Sequence, residues 1–337
     1  MILVTGGTGL VGTHLLMDLL EDETPIRAIY RSDEALENAR KIFLLYNINW
    51  QQSLTKIEWV KSDLLNVEIL SDAFEGIEYV YHCAAMVSFN KRDKFKLFKV
   101  NVEGTANVVN LSLKFGIKKF CHVSSTATIG KENKSGIRDE DCMWENDGTF
   151  SNYSISKYFS EMEVWRASEE GLNIVIVNPS IIIGPGNWVQ SSSNLFLKVW
   201  KGLKYYSKGM NAFVDVRDVS KVMVGLMKSS IKSERFLVIG ENLTFQQLFN
   251  EMASSLGKRL PSIEVKPWMA SLIWRIEALR SFVFGSEPLV TKESSKSALS
   301  IVKYSNNKIK TYLDFKVTPI KKSILHTSKI FLKDYSE

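Results

Sequence analysis

The sequence contains little cysteine: only Cys83, Cys121 and Cys142 occur among its 337 residues, and their spacing pairs none of them. A disulfide framework would need more cysteines at short, regular spacings, so we expect three reduced thiols. The four histidines are spread along the chain without a ligand-like cluster. The scarcity of both residue types predicts a protein without disulfide bonds and without a bound metal.

The chain also lacks any long run of one charge. Lysine and arginine outnumber aspartate and glutamate by 43 to 37, a formal net charge of +6, yet no run of five or six basic residues occurs. Nucleic-acid binding usually needs a concentrated basic surface, so we expect no nucleic-acid partner. A mild positive charge suits an anionic small ligand and a membrane surface equally well.

No leader or membrane-spanning segment is evident in the sequence either. Met1–Thr5 already has the composition of a buried strand, which leaves no room for a signal peptide. The uncharged window Gly171–Leu197 is long enough to span a bilayer, but Asn178, Pro179 and Gly184 would interrupt a membrane helix. We therefore expect a cytoplasmic protein, with attachment to the inner face of a membrane left open.

What the sequence does contain is a series of short apolar runs that alternate with amphipathic segments. The runs that predict strands are Ile2–Thr5, Ile26–Tyr30, Ile57–Lys61, Tyr79–Cys83, Lys119–Ser124, Ile174–Val177 and Phe236–Ile239. The predicted helices between them include Thr13–Glu21, Val102–Phe115 and Tyr153–Glu169. Near-continuous apolar strands that alternate with helices are typical of an α/β fold with a doubly wound, parallel, Rossmann-type sheet.

The alternation of strands and helices fades after about residue 240. We therefore expect a nucleotide-binding Rossmann domain over residues 1–180, to which the chain returns at about 214–240. Residues 181–213 and 241–337 are expected to form a smaller, discontinuous substrate-binding lobe.

A glycine-rich turn joins the first predicted strand to the first helix, with the sequence Thr5-Gly6-Gly7-Thr8-Gly9-Leu10-Val11-Gly12. Gly6 permits a tight turn, Gly9 lets the backbone approach a pyrophosphate, and Gly12 lets the helix pack closely against the strand. The helix N-terminus offers free N–H groups and the positive end of a dipole to an anion. We predict a dinucleotide site that includes Gly6, Thr8, Gly9, Leu10, Val11 and Gly12.

The end of the second strand bears on the choice between NAD(H) and NADP(H). NAD enzymes usually carry an acidic residue there, which binds the ribose hydroxyls. This chain has Tyr30 at that position and Arg31 next to it, and a guanidinium can hold a 2′-phosphate. Asp33 and Glu34 follow closely, so a solvated surface arginine is the alternative. We predict that NADP(H) is favoured over NAD(H).

Tyr153 and Lys157 are four residues apart, which places them on one face of a predicted helix. The spacing alone is not specific, because Tyr304 and Tyr312 are also followed by lysine four residues later. Tyr153 differs in its context, since its helix follows the hydroxyl-rich strand end Ser124-Ser125-Thr126. The combination favours Tyr153 and Lys157 as a catalytic pair.

Together, these motifs resemble the extended short-chain dehydrogenase/reductase superfamily, which includes the NAD-dependent epimerase/dehydratase family, from Met1 to about Thr318. The resemblance implies cofactor contacts beyond the glycine loop, at the ends of the third, fourth and sixth strands. These implied contacts are Asp63, Leu64, Cys83, Ala84, Ala85, Pro179, Ser180 and Ile182, together with Tyr153 and Lys157. Most relatives have arginine where this chain has Asn178, so the resemblance assigns that side chain no role.

The resemblance also implies a reaction: hydride delivery to a ketone, whose oxygen must be protonated as its charge develops. Tyr153 is the implied proton donor, although an unperturbed phenol has a pKa of about 10. The Lys157 ammonium favours the phenolate, and in the family this lysine also binds the nicotinamide ribose. A hydroxyl from Thr126 or from its neighbour Ser125 would hydrogen-bond the substrate oxygen, and alignment with the family favours Thr126.

Three branches of the superfamily carry out different reactions. The sugar dehydratases place an Asp-Glu pair directly after the catalytic threonine, where this chain has Ala127 and Thr128. The nucleotide-sugar epimerases usually have an acidic end to the second strand, where this chain has Arg31. The resemblance is best to dihydroflavonol reductases and 3β-hydroxysteroid dehydrogenases, which interconvert ketones and alcohols on largely apolar substrates. A nucleotide-sugar epimerase and a non-catalytic NADP-sensing protein are the alternatives.

A later predicted helix, Lys266–Arg280, bears on the substrate. The residues of its apolar face, which continues past the helix, are Trp268, Leu272, Ile276, Leu279 and Val283. That face could pack against the lobe, cover an acyl or polycyclic substrate, or touch a membrane surface with basic residues at its edge. We predict a hydrophobic, lipid-like ketone as substrate, for example a long-chain 3-keto intermediate. Whether the chain forms a homodimer is left open.

Overall fold

The structure, a computed structural model, describes residues 1–145, 148, 150–284 and 291–336. Its strands are β1 (Ile2–Thr5), β2 (Ile26–Tyr30), β3 (Ile57–Lys61), β4 (Tyr79–His82), β5 (Lys119–Val123), β6 (Ile174–Pro179), β7 (Ile181–Ile183), β8 (Tyr205–Tyr206), β9 (Met210–Asp215), β10 (Glu234–Val238), β11 (Glu241–Thr244) and β12 (Ile263–Glu264). One sheet has the order β10-β6-β5-β4-β1-β2-β3, and all its neighbouring strands are parallel. This topology confirms the predicted doubly wound α/β fold.

Helices cover both faces of this sheet. They are α1 (Leu10–Leu19), α2 (Asp33–Leu45), α3 (Trp50–Ser53), α4 (Val67–Asp72), α5 (Lys94–Phe98), α6 (Gly104–Lys114), α7 (Asn152–Glu169), α8 (Asn194–Trp200), α9 (Val216–Lys228), α10 (Phe245–Ser255), α11 (Pro267–Phe284), α12 (Lys292–Leu299), α13 (Asn307–Tyr312) and α14 (Ile320–Ser336). Val4 packs in a core with α1 and α9, whereas Leu3 packs in a core with α6 and α7. Alternate residues of β1 therefore serve opposite faces, which explains why its sequence is apolar throughout.

Several predicted boundaries differ from the structure. The strands predicted to end at Cys83 and Ser124 each end one residue earlier. In contrast, β6 runs past the predicted end at Val177, because its last two residues pair with Leu237 and Val238 of β10. The first helix begins at Leu10 rather than Thr13, directly after the glycine turn. A π-helical segment, Lys99–Glu103, precedes α6, so the helical region begins three residues before the predicted start at Val102.

Residues beyond the large sheet form two small sheets and a separate core. Strands β7, β9 and β11 form one of these sheets, and β8 and β12 form the other. Phe196 of α8, Phe213 of β9 and Phe331 of α14 belong to one buried cluster. In contrast, Ile309 of α13 packs in the core of the large sheet, beside α1 and α9. The late part of the chain therefore contacts both the small sheets and the large one.

Candidate active site

The carboxyl ends of the six strands β1 to β6 lie at one edge of the large sheet, because the strands are parallel. Each end carries predicted site residues, and α7 follows β5. Along this edge lie the glycine loop Gly6–Gly12, Arg31, Asp63-Leu64, Cys83-Ala84-Ala85, Ser125-Thr126 and Pro179–Ile182. In open parallel sheets, ligands bind outside this edge, at the point where the strand order reverses. Here that point falls between β1 and β4.

The glycine loop has the backbone geometry that a pyrophosphate needs. Gly6 has φ +67°, and a Cβ there would lie only 2.6 Å from the Ala84 backbone nitrogen. A Cβ on Gly12 would collide with the backbone carbonyl of Gly6. Gly9, at the N-cap of α1, provides no side-chain hydrogen bond to the first turn. The first-turn N–H groups of Leu10, Val11 and Gly12 therefore remain available to an anion, and the loop fits a dinucleotide phosphate.

At the end of β2, the two nearby charges of opposite sign have different environments. Arg31 is exposed and forms no ion pair with any side chain in the described residues. The Asp33 carboxylate lies 2.8 Å from Lys61 Nζ at the end of the neighbouring strand β3. In the structure the partner of Asp33 is therefore Lys61 and not Arg31. The Arg31 guanidinium is therefore available to an anion at this edge.

The ends of β3 and β4 place their predicted residues differently. The Asp63 side chain is exposed and accepts a hydrogen bond from the Leu65 N–H at 2.9 Å, whereas Leu64 is buried. The Cys83 N–H donates to the Thr5 carbonyl at 3.1 Å, which ties the end of β4 to the glycine loop. Ala85 is exposed beside it. The buried Leu64 side chain can therefore contribute only apolar packing beneath the site. Asp63 and Ala85 face solvent.

Tyr153 and Lys157 lie in the first two turns of α7, which Ser151 caps by accepting the Ser154 N–H. Lys157 is 1% exposed, and its Nζ donates to the Val123 carbonyl at 2.9 Å. This contact anchors the ammonium at the end of β5. The Tyr153 ring packs against Phe89, with 5.6 Å between ring centroids. The pair therefore sits beside the strand end, under an aromatic side chain from the loop after β4.

Burial shifts the pKa values of both members of this pair. Burial raises the pKa of Tyr153, and an interaction with the Ser125 side chain opposes the rise. Burial lowers the pKa of Lys157 to about 8, although the negative charge of Glu161 favours the ammonium form. Lys157 therefore loses its proton far more readily than an ordinary lysine. The pKa values of the two groups therefore lie further apart than those of free tyrosine and lysine, and the value of Lys157 is the lower one.

The two hydroxyls that follow β5 have different partners. Ser125 is partly exposed, and its side chain interacts with the Tyr153 hydroxyl. Thr126 is only 7% exposed, and its hydroxyl interacts with the hydroxyl of Tyr304, which also interacts with Arg138. No motif in the sequence places Tyr304 at this site, because its spacing to a lysine is not specific. Tyr304 lies near Thr126 because its backbone forms a bridge with Arg138, and no local sequence pattern predicts that pairing.

The end of β6 carries buried polar groups. Pro179 and Ser180 are buried, and the Ser180 hydroxyl has no hydrogen-bond partner among the described residues. Ile182 is partly buried beside them. A buried hydroxyl without a partner fits a position that a polar ligand group, such as a carboxamide, would complete. The Asn178 side chain, which the resemblance left without a role, donates to the Ser125 carbonyl at 3.2 Å.

The apolar face predicted on the late helix is exposed on α11. The exposed fractions of Trp268, Leu272 and Ile276 are 68%, 51% and 55%. More than half of each of these side chains is therefore open to solvent. Two further residues assigned to this face, Leu279 and Val283, have side chains outside the described residues. No helix in the described parts of the chain has the length and apolarity needed to cross a membrane.

Comparisons with known proteins show which family and which fold the chain resembles. The model of the NAD dependent epimerase/dehydratase family matches residues 2–240. A putative dihydroflavonol 4-reductase from Synechocystis is 27% identical, covering 95% of this chain and 91% of that protein. Sterol demethylase protein B from Methylococcus capsulatus is 31% identical, covering 79% and 77%. The structure of a UDP-glucose 4-epimerase from Thermotoga maritima shares the fold, with a TM-score of 0.77, 19% identity and 99% coverage of both chains.

Proposed function

The chain belongs to the NAD dependent epimerase/dehydratase family, and we propose that within it this protein is an NADP-dependent reductase of hydrophobic ketones. The observation that carries the proposal is the grouping of Tyr153, Ser125 and Lys157 beside the sheet edge that holds the glycine loop. An NAD(P)-dependent oxidoreductase is what the family membership itself supports. We propose in addition that the cofactor is NADP(H) and that the substrate is a ketone with a large apolar part.

The proposed reaction assigns one step to each group. The nicotinamide, when bound, supplies the hydride. Tyr153 donates its phenolic proton to the substrate oxygen as charge develops there. Lys157 stabilises the phenolate that remains, and it would also hold the nicotinamide ribose. Ser125 donates a hydrogen bond to the same substrate oxygen. Phe89 packs against the Tyr153 ring and supports its position.

Two features support an apolar substrate. Trp268, Leu272 and Ile276 leave a large apolar surface exposed in the part of the chain that follows the family match. The relatives named above are called a putative dihydroflavonol 4-reductase and a sterol demethylase protein, and both names refer to polycyclic compounds. We therefore propose that α11 covers the apolar part of the substrate.

Replacing Arg31 with alanine should weaken NADPH binding roughly tenfold to hundredfold and leave NADH binding nearly unchanged. Hydrogen bonds to charged groups contribute about 1.5–3 kcal/mol, and only NADPH carries the 2′-phosphate that this guanidinium would hold. Fluorescence titration of both cofactors measures the effect. Arg259→Ala, at an exposed arginine in the later part of the chain, is the control. Equal affinities for NADPH and NADH in the unmodified protein would contradict the assignment.

A homologous series of ketones tests the substrate class. Each methylene removed from water contributes ~0.8 kcal/mol, so kcat/KM with NADPH should rise about fourfold per added methylene until the apolar surface is covered. Leu272→Asp should flatten this rise. The control is Leu325→Asp, at a leucine of α14 that is similarly exposed. A preference for short polar ketones or sugar nucleotides, without dependence on chain length, would favour the epimerase instead.

A further inference from the structure

A buried carboxylate lies directly behind the proposed catalytic pair. Glu161 is on α7, one turn beyond Lys157, and it is completely buried. Its Oε2 accepts hydrogen bonds from Ser124 Oγ at 2.5 Å, from Thr128 Oγ1 at 2.9 Å and from Asn178 Nδ2 at 2.9 Å. One oxygen of Glu161 therefore accepts hydrogen bonds from the end of β5, from the turn after β5 and from the end of β6.

The second oxygen of this carboxylate is also occupied. Glu161 Oε1 accepts from Arg235 Nη1 and from Trp165 Nε1, at 3.3 and 3.4 Å. Arg235 is itself held in place, because its Nε donates to the Glu140 carbonyl at 3.1 Å. A buried carboxylate is stable as an anion only when hydrogen bonds and an opposite charge replace its water. These contacts provide both, so each oxygen of the buried Glu161 carboxylate has partners inside the protein.

The positions of the Glu161 donors relative to the proposed site are informative. Ser124 precedes and Thr128 follows Ser125 and Thr126 in the chain. Their hydrogen bonds to the carboxylate therefore hold both ends of the short segment that carries the two candidate hydroxyls. Thr128 Oγ1 also lies 2.9 Å from the Ser125 carbonyl, so its single proton is shared between that oxygen and the carboxylate. Because Glu161 belongs to the same helix as Tyr153, its contacts fix the distance between the strand end and the phenol.

We propose that Glu161 is a positioning residue of this enzyme: it holds the Ser125 hydroxyl in register with Tyr153 and keeps Lys157 in its ammonium form. This inference rests on the proposed reductase function. Glu161 touches neither substrate nor cofactor in this scheme, and it acts through the segment Ser124–Thr128 and through the field at Lys157.

The negative charge of Glu161 affects the pKa of Lys157 in one direction. Glu161 faces Lys157 from its own helix, on which Tyr153 lies one turn earlier. His82 of β4, Cys83 just after β4 and His122 of β5 face it from the sheet. Of these groups, Glu161 is the carboxylate. Burial lowers the pKa of Lys157 to about 8, and the Glu161 charge opposes that fall. Without this charge, Lys157 would lose its proton at a lower pH.

Glu161→Gln tests the proposal, since it removes the charge and keeps the size of the side chain. We expect kcat for ketone reduction to fall about tenfold to hundredfold, the range for a lost charge-assisted hydrogen bond, with little change in the KM of the ketone. The alkaline limb of the pH–rate profile should move to lower pH. The pH above which NADPH binding weakens, measured by fluorescence titration, should move in the same direction, because Lys157 also holds the ribose.

Glu163→Gln is the matched control, because Glu163 lies two residues further on the same helix and pairs with Arg166 at 3.0 Å, away from the strand end. It should keep the kcat and both pH dependences of the unmodified protein. If Glu161→Gln does the same, the proposal is wrong. Should Glu161→Gln fail to fold, Thr128→Val removes one donor and keeps the charge, so it should lower kcat and leave the alkaline limb in place. An unchanged kcat in that variant would overturn the positioning role.

The proposed function and this inference fail in different ways. Absence of ketone reduction by the unmodified protein would contradict the reductase proposal. The pH dependence of NADPH binding would still report whether Glu161 controls Lys157. If the unmodified protein reduces ketones and Glu161→Gln has the same kcat and pH dependences, only the role of Glu161 is contradicted.

Discussion

Replacing Tyr153 with phenylalanine should lower kcat for ketone reduction by about 10²- to 10⁴-fold, the usual contribution of a general acid, while NADPH affinity stays nearly unchanged. The variant removes the proton donor alone, because the ring that packs against Phe89 is retained. Single-turnover oxidation of NADPH with a competent ketone, together with fluorescence titration of NADPH, separates the chemical step from cofactor binding.

Lys157→Ala is the informative contrast to Tyr153→Phe. Its ammonium is expected to serve both the phenol and the ribose, so this variant should lose NADPH affinity as well as kcat. Tyr312→Phe is a suitable control, since Tyr312 is 49% exposed and has the same spacing to a lysine. Tyr304→Phe is not suitable, because the Tyr304 hydroxyl interacts with Thr126. Substantial turnover by Tyr153→Phe would rule out the proposed mechanism.

The strands of the large sheet could be predicted because they are buried on both faces. Such strands are nearly continuous apolar runs, and β1, β2 and β3 have the predicted ends. The end of β6 could not be predicted in the same way. Asn178 and Pro179 look like a loop in the sequence, and they are in a strand only because β10 pairs with them. Pairing between distant segments therefore decides where an otherwise local pattern stops.

The same division applies to the site. The glycine loop and the Tyr153–Lys157 pair are local motifs, with fixed spacings on a turn and a helix, so the sequence is sufficient to predict them. Glu161, Asn178 and Tyr304 have no such signature. Their contacts join segments far apart in the chain, and a buried glutamate on a helix has the same one-letter pattern as a solvated one.

The apolar face of α11 illustrates the limit of periodicity. The spacing of Trp268, Leu272 and Ile276 predicts one face of a helix, and they do share a helix. Periodicity cannot say whether that face is packed, however, because burial depends on what lies opposite. In the structure more than half of each side chain is exposed.

The choice between the two hydroxyls after β5 gives the second large prediction. Ser125→Ala should lower kcat by about 10²- to 10³-fold, the cost of losing one hydrogen-bond donor to a developing oxyanion. Thr126→Val should cost much less, because the Thr126 hydroxyl is engaged by Tyr304 rather than by Tyr153. Steady-state kinetics with one apolar ketone, at saturating NADPH, compares the two variants directly.

Ser125 also caps the short turn after β5 by accepting the Ala127 N–H at 3.1 Å, so a loss of activity must be separated from a loss of local structure. Ser125→Thr restores both the hydroxyl and the cap, and it should recover most of the kcat that Ser125→Ala loses. Thermal unfolding of each variant reports the structural contribution. A larger loss in Thr126→Val than in Ser125→Ala would give the donor role to Thr126, as alignment with the family favours. In that case Tyr304, which contacts Thr126, would become part of the catalytic arrangement.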